Sequence, residues 1–246
     1  REASYETAVS NILTVSNPSS ALNRDQQQAV ESVFPVTAVI AGPGTGKTKT
    51  LVSRIEHLMG ERSVKPSEIT AVTFTNKAAD ELTQRIRQAL PGRRSLNQMQ
   101  VGTFHSLCYR LLARSGTELS LADQGQAEEC AGETIEALEL ACTVRQFLTA
   151  ISLHKAGLSS AQGFAAYSAA ETGFILTQEG ADRYQQALEC RKLMDFDDLL
   201  LNMLRLLEQE QKAEYRKQHF SYLLVDEFQD ISPVQYRLIK AWNKGG

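Results

Sequence analysis

No stretch of this sequence is both long and apolar. Its longest apolar runs, residues 36–42 and 222–225, fall far short of the roughly 20 residues a membrane-spanning helix needs. Residues 1–17 lack the basic-then-apolar layout of a secretory leader, so a cytoplasmic protein is expected. Cysteine is scarce: four, at positions 108, 130, 142 and 190, with no Cys-x-x-Cys pair and no histidine at ligand spacing. That pattern argues against a zinc site or a disulfide framework, and for reduced, mostly buried thiols. Internal repeats and low-complexity tracts are absent as well.

Excess charge is also missing. The formal net charge is −3, which by itself would not suggest a partner for a polyanion. Its distribution is more informative. Residues 41–114 carry 12 Lys+Arg against 5 Asp+Glu, whereas residues 115–246 carry 12 against 20. A basic segment is where a polyanion can dock, although the same charges also suit ordinary solvated helix faces.

What the chain does have is 246 residues at 42% hydrophobic content, enough for a sizeable core in one or two domains. Residues 36–41 form a short β-rich apolar run, followed by a glycine-rich turn and a helical pattern to about Met59. Residues 69–75 repeat the arrangement, leading into a helix over 77–90 that stops at Pro91-Gly92. A weaker strand over 100–103 precedes a helix over 104–114. Strands alternating with helices predict a parallel sheet with right-handed crossovers. From about Ser115 to Met194 the pattern is helices and loops without a convincing strand. A strong apolar stripe then predicts a helix over 196–209, and residues 222–225 a final strand ending on acids. The expected architecture is an α/β domain over 22–114 and 195–246, interrupted by an all-helical subdomain over 115–194 and preceded by a lead segment, 1–21. A sheet ending near Gly246 would leave later strands missing, so the sequence reads as the front part of a longer chain.

Residues 41–48 read Ala-Gly-Pro-Gly-Thr-Gly-Lys-Thr. Apart from Ala41 in the first position, this is the phosphate-loop pattern Gly-x-x-x-x-Gly-Lys-[Ser/Thr]. Gly42, Gly44 and Gly46, with Pro43 and Thr45 between them, let backbone N–H groups wrap phosphate oxygens, and the following helix aims its positive end at them. Lys47 is placed to neutralise the β- and γ-phosphates of ATP, and the Thr48 hydroxyl to ligate Mg²⁺. Hydrolysis needs carboxylates at a second strand end, and Asp226-Glu227 follows an apolar strand. Asp226 is the candidate Mg²⁺ ligand and Glu227 the candidate base for the attacking water.

Taken together, the motifs resemble superfamily 1 DNA helicases of the UvrD/Rep/PcrA branch. Leu22-Asn-Arg-Asp-Gln-Gln-Gln-Ala-Val30 is similar to that family's Q motif, and Ala41–Thr48 to its phosphate loop. Thr73-Phe-Thr-Asn-Lys-Ala-Ala79 resembles motif Ia, and Gly102-Thr-Phe-His-Ser106 the next DNA-facing motif. Asp195-Phe-Asp-Asp-Leu-Leu200 resembles the helix before motif II, and Asp226-Glu-Phe-Gln-Asp230 motif II itself. The resemblance implies a RecA-like P-loop motor domain carrying a helical insertion, and ATP-driven movement along single-stranded DNA, 3′ to 5′, up to single/double-strand junctions.

It further implies that Gln26 reads the adenine edge and that Gln229 joins Lys47, Asp226 and Glu227 in catalysis. Lys49 stands where the family commonly has an arginine stacked over adenine; a compact ammonium stacks less well than a planar guanidinium. Phe74, Thr75 and Asn76 would face DNA at one strand end, and Thr103, Phe104 and His105 at the next. Aromatic rings stack on any base while small polar groups hold phosphates. Phe74 also suits a core position and His105 a helix cap. Asp197 and Asp198, in the first turn of their helix, are expected to complement its dipole rather than bind metal. Motif III and a second motor domain with its arginine finger are not in these residues, so the 246-residue piece is expected to bind ATP–Mg²⁺ weakly, hydrolyse it slowly and not unwind DNA. The motor portion of an AddA/RecB-like helicase–nuclease, and an ATP-gated binding module without unwinding, are the alternative readings.

Overall fold

The computed structural model describes residues 12–15, 22–115, 120–157, 173–208 and 221–243. Most of the lead segment, part of the expected insertion and the chain end therefore lie outside the described residues, as does Gln209 of the helix expected over 196–209. Five strands are present among those described: β1 (Ile12–Val15), β2 (Ala38–Ala41), β3 (Ile69–Thr73), β4 (Gln100–Thr103) and β5 (Tyr222–Val225). Every pairing is parallel. β1 pairs with β2, and β3 lies between β4 and β5, with Ile69 opposite Tyr222 and Thr70 opposite Gln100.

Nine helices accompany them among the described residues: α1 (Arg24–Glu31), α2 (Lys47–Gly60), α3 (Asn76–Ala89), α4 (Phe104–Arg114), α5 (Gln124–Ala137), α6 (Val144–Lys155), α7 (Gln178–Cys190), α8 (Asp198–Glu208) and α9 (Pro233–Trp242). None is long and apolar enough to cross a membrane among the described residues.

The chain forms two compact units. The first comprises Arg1–Thr103, Ala213–Phe228 and Asn243–Gly246, and its described elements are the five strands with α1 to α3. Its α/β character follows from the alternation of strand and helix in sequence. β3 is buried along its whole length, as a central parallel strand should be. Ile69 and Ala71 pack with Val52 and Ile55 of α2 and Leu82 and Ile86 of α3. β2 is more open, with Ile40 55% exposed.

The second unit, Phe104–Lys212 with Gln229–Trp242, is helical in its described elements, α4 to α9. Its core gathers Cys130, Phe147, Ile151, Tyr184 and Leu188 from α5, α6 and α7. A single parallel bridge, Leu121 with Met194, ties the chain leading into this helical stretch to the chain leaving it. By contact, α4, α8 and α9 cluster with these helices rather than with the sheet, because α4 packs on α8 and α8 on α9. Contact therefore draws the division at Thr103/Phe104, ahead of the change in sequence character near Ser115.

Candidate functional site

The phosphate loop joins β2 to α2. Gly44 and Gly46 have φ of 74° and 90°, a left-handed conformation that only glycine adopts without strain. The Thr45 hydroxyl donates to the Gly42 carbonyl at 2.7 Å and braces the loop internally. The left-handed Gly46 is the N-cap of α2 and gives it no side-chain cap. The first turn holds no acid, only Lys47 and Lys49. Two cations and no cap at the positive end of a helix dipole are unfavourable unless an anion binds there. The loop is thus built for a phosphate group.

Gln26 supports the loop from behind. Its side chain is 2% exposed, its Nε2 donates to the Thr45 carbonyl at 3.0 Å, and its Oε1 accepts from the Asn23 N–H at 2.8 Å. Asn23 returns the bond through its own side chain, completing a capping box that starts α1. Both polar ends of Gln26 are therefore engaged within the protein, each by one bond, which leaves one further donor on Nε2 and one further acceptor site on Oε1. The Asn-x-x-Gln spacing of residues 23–26 was the sequence signal for this role.

At the end of β5, the Asp226 N–H still donates to the Val72 carbonyl at 2.9 Å, one step beyond the strand ladder. Glu227 then leaves the ladder with φ 49°, a left-handed conformation that costs a non-glycine residue on the order of 1–3 kcal/mol. Its N–H donates to Asp226 Oδ1 at 3.0 Å. Lys47 Nζ donates to Glu227 Oε2 at 3.0 Å, between residues 180 positions apart in sequence. Loop and acidic strand end thus converge within the first unit. Burial holds the Asp226 carboxyl above its ordinary pKa, and the Glu227 charge adds to this; the Glu227 N–H and the Lys47 ammonium oppose it.

The Thr48 hydroxyl and the Asp226 carboxylate are hard oxygen donors of the kind Mg²⁺ prefers. A half-buried carboxylate with incomplete compensation fits an added cation. No cluster of three or more His, Cys, Asp or Glu able to hold a metal exists among the described residues. Gln229 belongs to the second unit, in a short 3₁₀ turn (Phe228–Asp230), with its Nε2 donating to Asp230 Oδ2 at 3.2 Å.

The expected DNA-facing residues fall into two groups. Phe74 is half-buried, and Thr75 and Asn76 are exposed at the end of β3. Thr75 caps α3 by accepting from the Ala78 N–H at 3.1 Å, leaving Asn76 in the first turn. Thr103 ends β4. Phe104, expected to face DNA, has a ring that is 1% exposed and stacks parallel to Trp242 at 5.8 Å between centroids, within the core. His105 lies inside the first turn of α4 and does not cap it. Its ring stacks on Phe196 at 4.2 Å with 16° between planes, and its Nε2 lies 3.8 Å from Asp197 Oδ1. Phe196 is 58% exposed, and nothing in sequence spacing pairs positions 105 and 196. Asp198 takes the expected dipole-complementing place at the start of α8.

Parallel strands flanked by helices, with a glycine-rich loop between the first apolar strand and its helix, define an α/β P-loop nucleoside-triphosphate-binding domain of the RecA-like class. The particular family follows from comparison. The UvrD/REP helicase N-terminal domain model matches residues 22–246, and the chain belongs to that family. It is 33% identical over 232 residues to the ATP-dependent DNA helicase PcrA of Bacillus subtilis (strain 168), covering 90% of this chain and 31% of that protein. It is 35% identical over 228 residues to the ATP-dependent DNA helicase Rep of Escherichia coli (strain K12), covering 89% of this chain and 34% of the relative. PcrA of Staphylococcus aureus (strain Mu50 / ATCC 700699) is 31% identical over 231 residues, covering 89% and 31% respectively. The chain thus spans about a third of the length of the curated relatives it matches.

Proposed function

We propose that this chain is the ATP-binding motor part of a DNA helicase that moves along single-stranded DNA, 3′ to 5′, and opens single/double-strand junctions. The observation that carries the reading is the Lys47–Glu227 pair at 3.0 Å, which unites the phosphate loop with the acidic strand end. In this reading residues 22–114 and 195–246 form the motor and 115–194 its helical insertion, and the protein works in the cytoplasm with the DNA it acts on.

ATP is held by the N–H groups of Gly42, Gly44, Thr45, Gly46 and the first turn of α2, with Pro43, which has no N–H, fixing the backbone between them. Lys47 neutralises the β- and γ-phosphates, and Lys49, by resemblance, lies over the adenine. Gln26 keeps the loop in shape. Thr48 and Asp226 hold Mg²⁺, which supplies positive charge to the phosphate oxygens. Glu227 takes the proton of the attacking water, and Gln229 assists by resemblance to motif II. DNA is met by Phe74, Thr75, Asn76 and Thr103 at the two strand ends and by the His105–Phe196 stack, where an exposed ring can accept a base.

In the parent protein a second motor domain completes the engine; residues 1–246 alone bind ATP–Mg²⁺ weakly, hydrolyse it slowly and do not unwind. An arginine finger is commonly worth on the order of 10³–10⁵ in rate, which sets the size of the expected deficit. Steady-state ATPase assays with and without single-stranded DNA, on this chain and on the full-length protein, test the reading. DNA stimulation only in the full-length protein is expected. No stimulation in either would overturn it.

A further inference from the structure

The second unit contains a buried charge cluster that the ATP and DNA sites do not use. Lys155, the last residue of α6, has a side chain only 8% exposed. Its Nζ lies 2.7 Å from Asp195 Oδ2 and 2.8 Å from Asp198 Oδ1, and 5.6 Å from the centroid of the Tyr184 ring. The two carboxylates also bond each other's backbone: the Asp195 N–H donates to Asp198 Oδ2 at 3.1 Å and the Asp198 N–H to Asp195 Oδ1 at 3.0 Å. This reciprocal cap fixes the turn that opens α8.

Phe196 and Asp197 lie inside that turn, and both face His105. The Phe196 ring stacks on the imidazole at 4.2 Å, and Asp197 Oδ1 is 3.8 Å from Nε2. An exposed aromatic holds one orientation only if its backbone is held. Here the backbone is held from below by an ammonium neutralising two carboxylates that would otherwise repel. The same helix end makes a second attachment, the Ala156 carbonyl accepting from the Val234 N–H at the start of α9 at 3.0 Å. The last turn of α6 therefore pins the starts of two other helices.

We propose that Lys155 is a positioning residue for DNA binding. It fixes the Asp195–Asp198 turn so that Phe196 stays stacked on His105 as one flat surface for a nucleobase. Lys155 itself touches no DNA. The proposal rests on the reading of His105 as a DNA contact, and the experiment separates the two.

The test uses the full-length protein with Lys155→Met. The readouts are the chemical shifts of the His105 ring protons, which the Phe196 ring displaces upfield while stacked, and affinities for single-stranded DNA and for an ATP analogue. The expected result is loss of the upfield shift, about tenfold weaker DNA binding, the size of losing one base stack, and unchanged nucleotide affinity. Loss of the shift with unchanged DNA affinity upholds the positioning role and overturns His105 as a DNA contact. A retained shift with unchanged DNA affinity overturns the proposal, as does an equal loss of nucleotide affinity, which would mark general destabilisation. If Lys155→Met leaves two repelling carboxylates and fails to fold, the double variant Lys155→Met/Asp195→Asn keeps the net charge of the cluster, and the same readouts apply.

Discussion

Lys47 Nζ of the phosphate loop donates to Glu227 Oε2, just past the end of β5, at 3.0 Å; in the proposed reading these are the γ-phosphate's cation and the attacking water's base. Both side chains are about one-third exposed, and such a pair contributes roughly 0.2–1 kcal/mol. Nucleotide binding must break it. Glu227→Gln should therefore raise affinity for an ATP analogue, by up to about fivefold, while lowering hydrolysis by about 10²–10⁴. Equilibrium titration and phosphate release on the full-length protein measure the two effects. A fall in both would show that Glu227 helps to hold the nucleotide.

Lys47→Ala should weaken ATP binding by at least about tenfold, the loss of one charge-assisted contact to phosphate, and abolish strand displacement by the full-length protein. Unwinding that survives this change would place the ATP site elsewhere.

Gln26→Ala removes the strut to the Thr45 carbonyl and half of the capping box of α1. The expected result is a stability loss of about 1 kcal/mol and weaker binding of ATP and GTP alike. A selective loss of ATP over GTP would instead assign Gln26 to the adenine edge.

Two glycines of the loop should differ in their response to alanine. Gly44 and Gly46 both have positive φ, but a Cβ on Gly44 meets nothing within 4 Å, whereas one on Gly46 lies 3.0 Å from Gln26 Nε2. Gly44→Ala should cost about 1 kcal/mol from backbone conformation alone. Gly46→Ala adds the steric conflict and should abolish nucleotide binding. Thermal melts and analogue titrations of the two variants compare them directly.

Thiol reactivity should follow burial. Cys190 is exposed, whereas Cys108 is fully buried and burial pushes its thiol pKa up. Because the thiolate is the nucleophile, alkylation followed by mass spectrometry should label Cys190 first and Cys108 only on unfolding. Early labelling at Cys108 would contradict the packing of α4.

Much of the fold was legible because its signals are local. β3, β4 and β5 begin where short β-rich apolar runs begin, and α2 and α3 start where the glycine-rich loop and the threonine cap allow. β1 was not legible: Ile12–Val15 is only four residues long, too short a run to declare itself even with Ser16-Asn17-Pro18 after it, and its pairing with β2 supplies what the sequence does not display. The different placement of Phe104 and Phe196 has a similar cause. Both rings sit near helix starts, and only packing against Trp242 hides one while the stack on His105 presents the other.

The sequence by itself determined the phosphate loop, the acidic pair and the alternation of strands and helices, since these depend on residue types a few positions apart. The tertiary structure alone decided which cation meets which carboxylate. Lys47 finds Glu227, and Lys155 finds Asp195 and Asp198, across gaps of 180, 40 and 43 positions. Linear spacing does not encode such encounters: the turn of the backbone at Glu227 and the burial of Lys155 arise only when strand ends and helix ends are brought together.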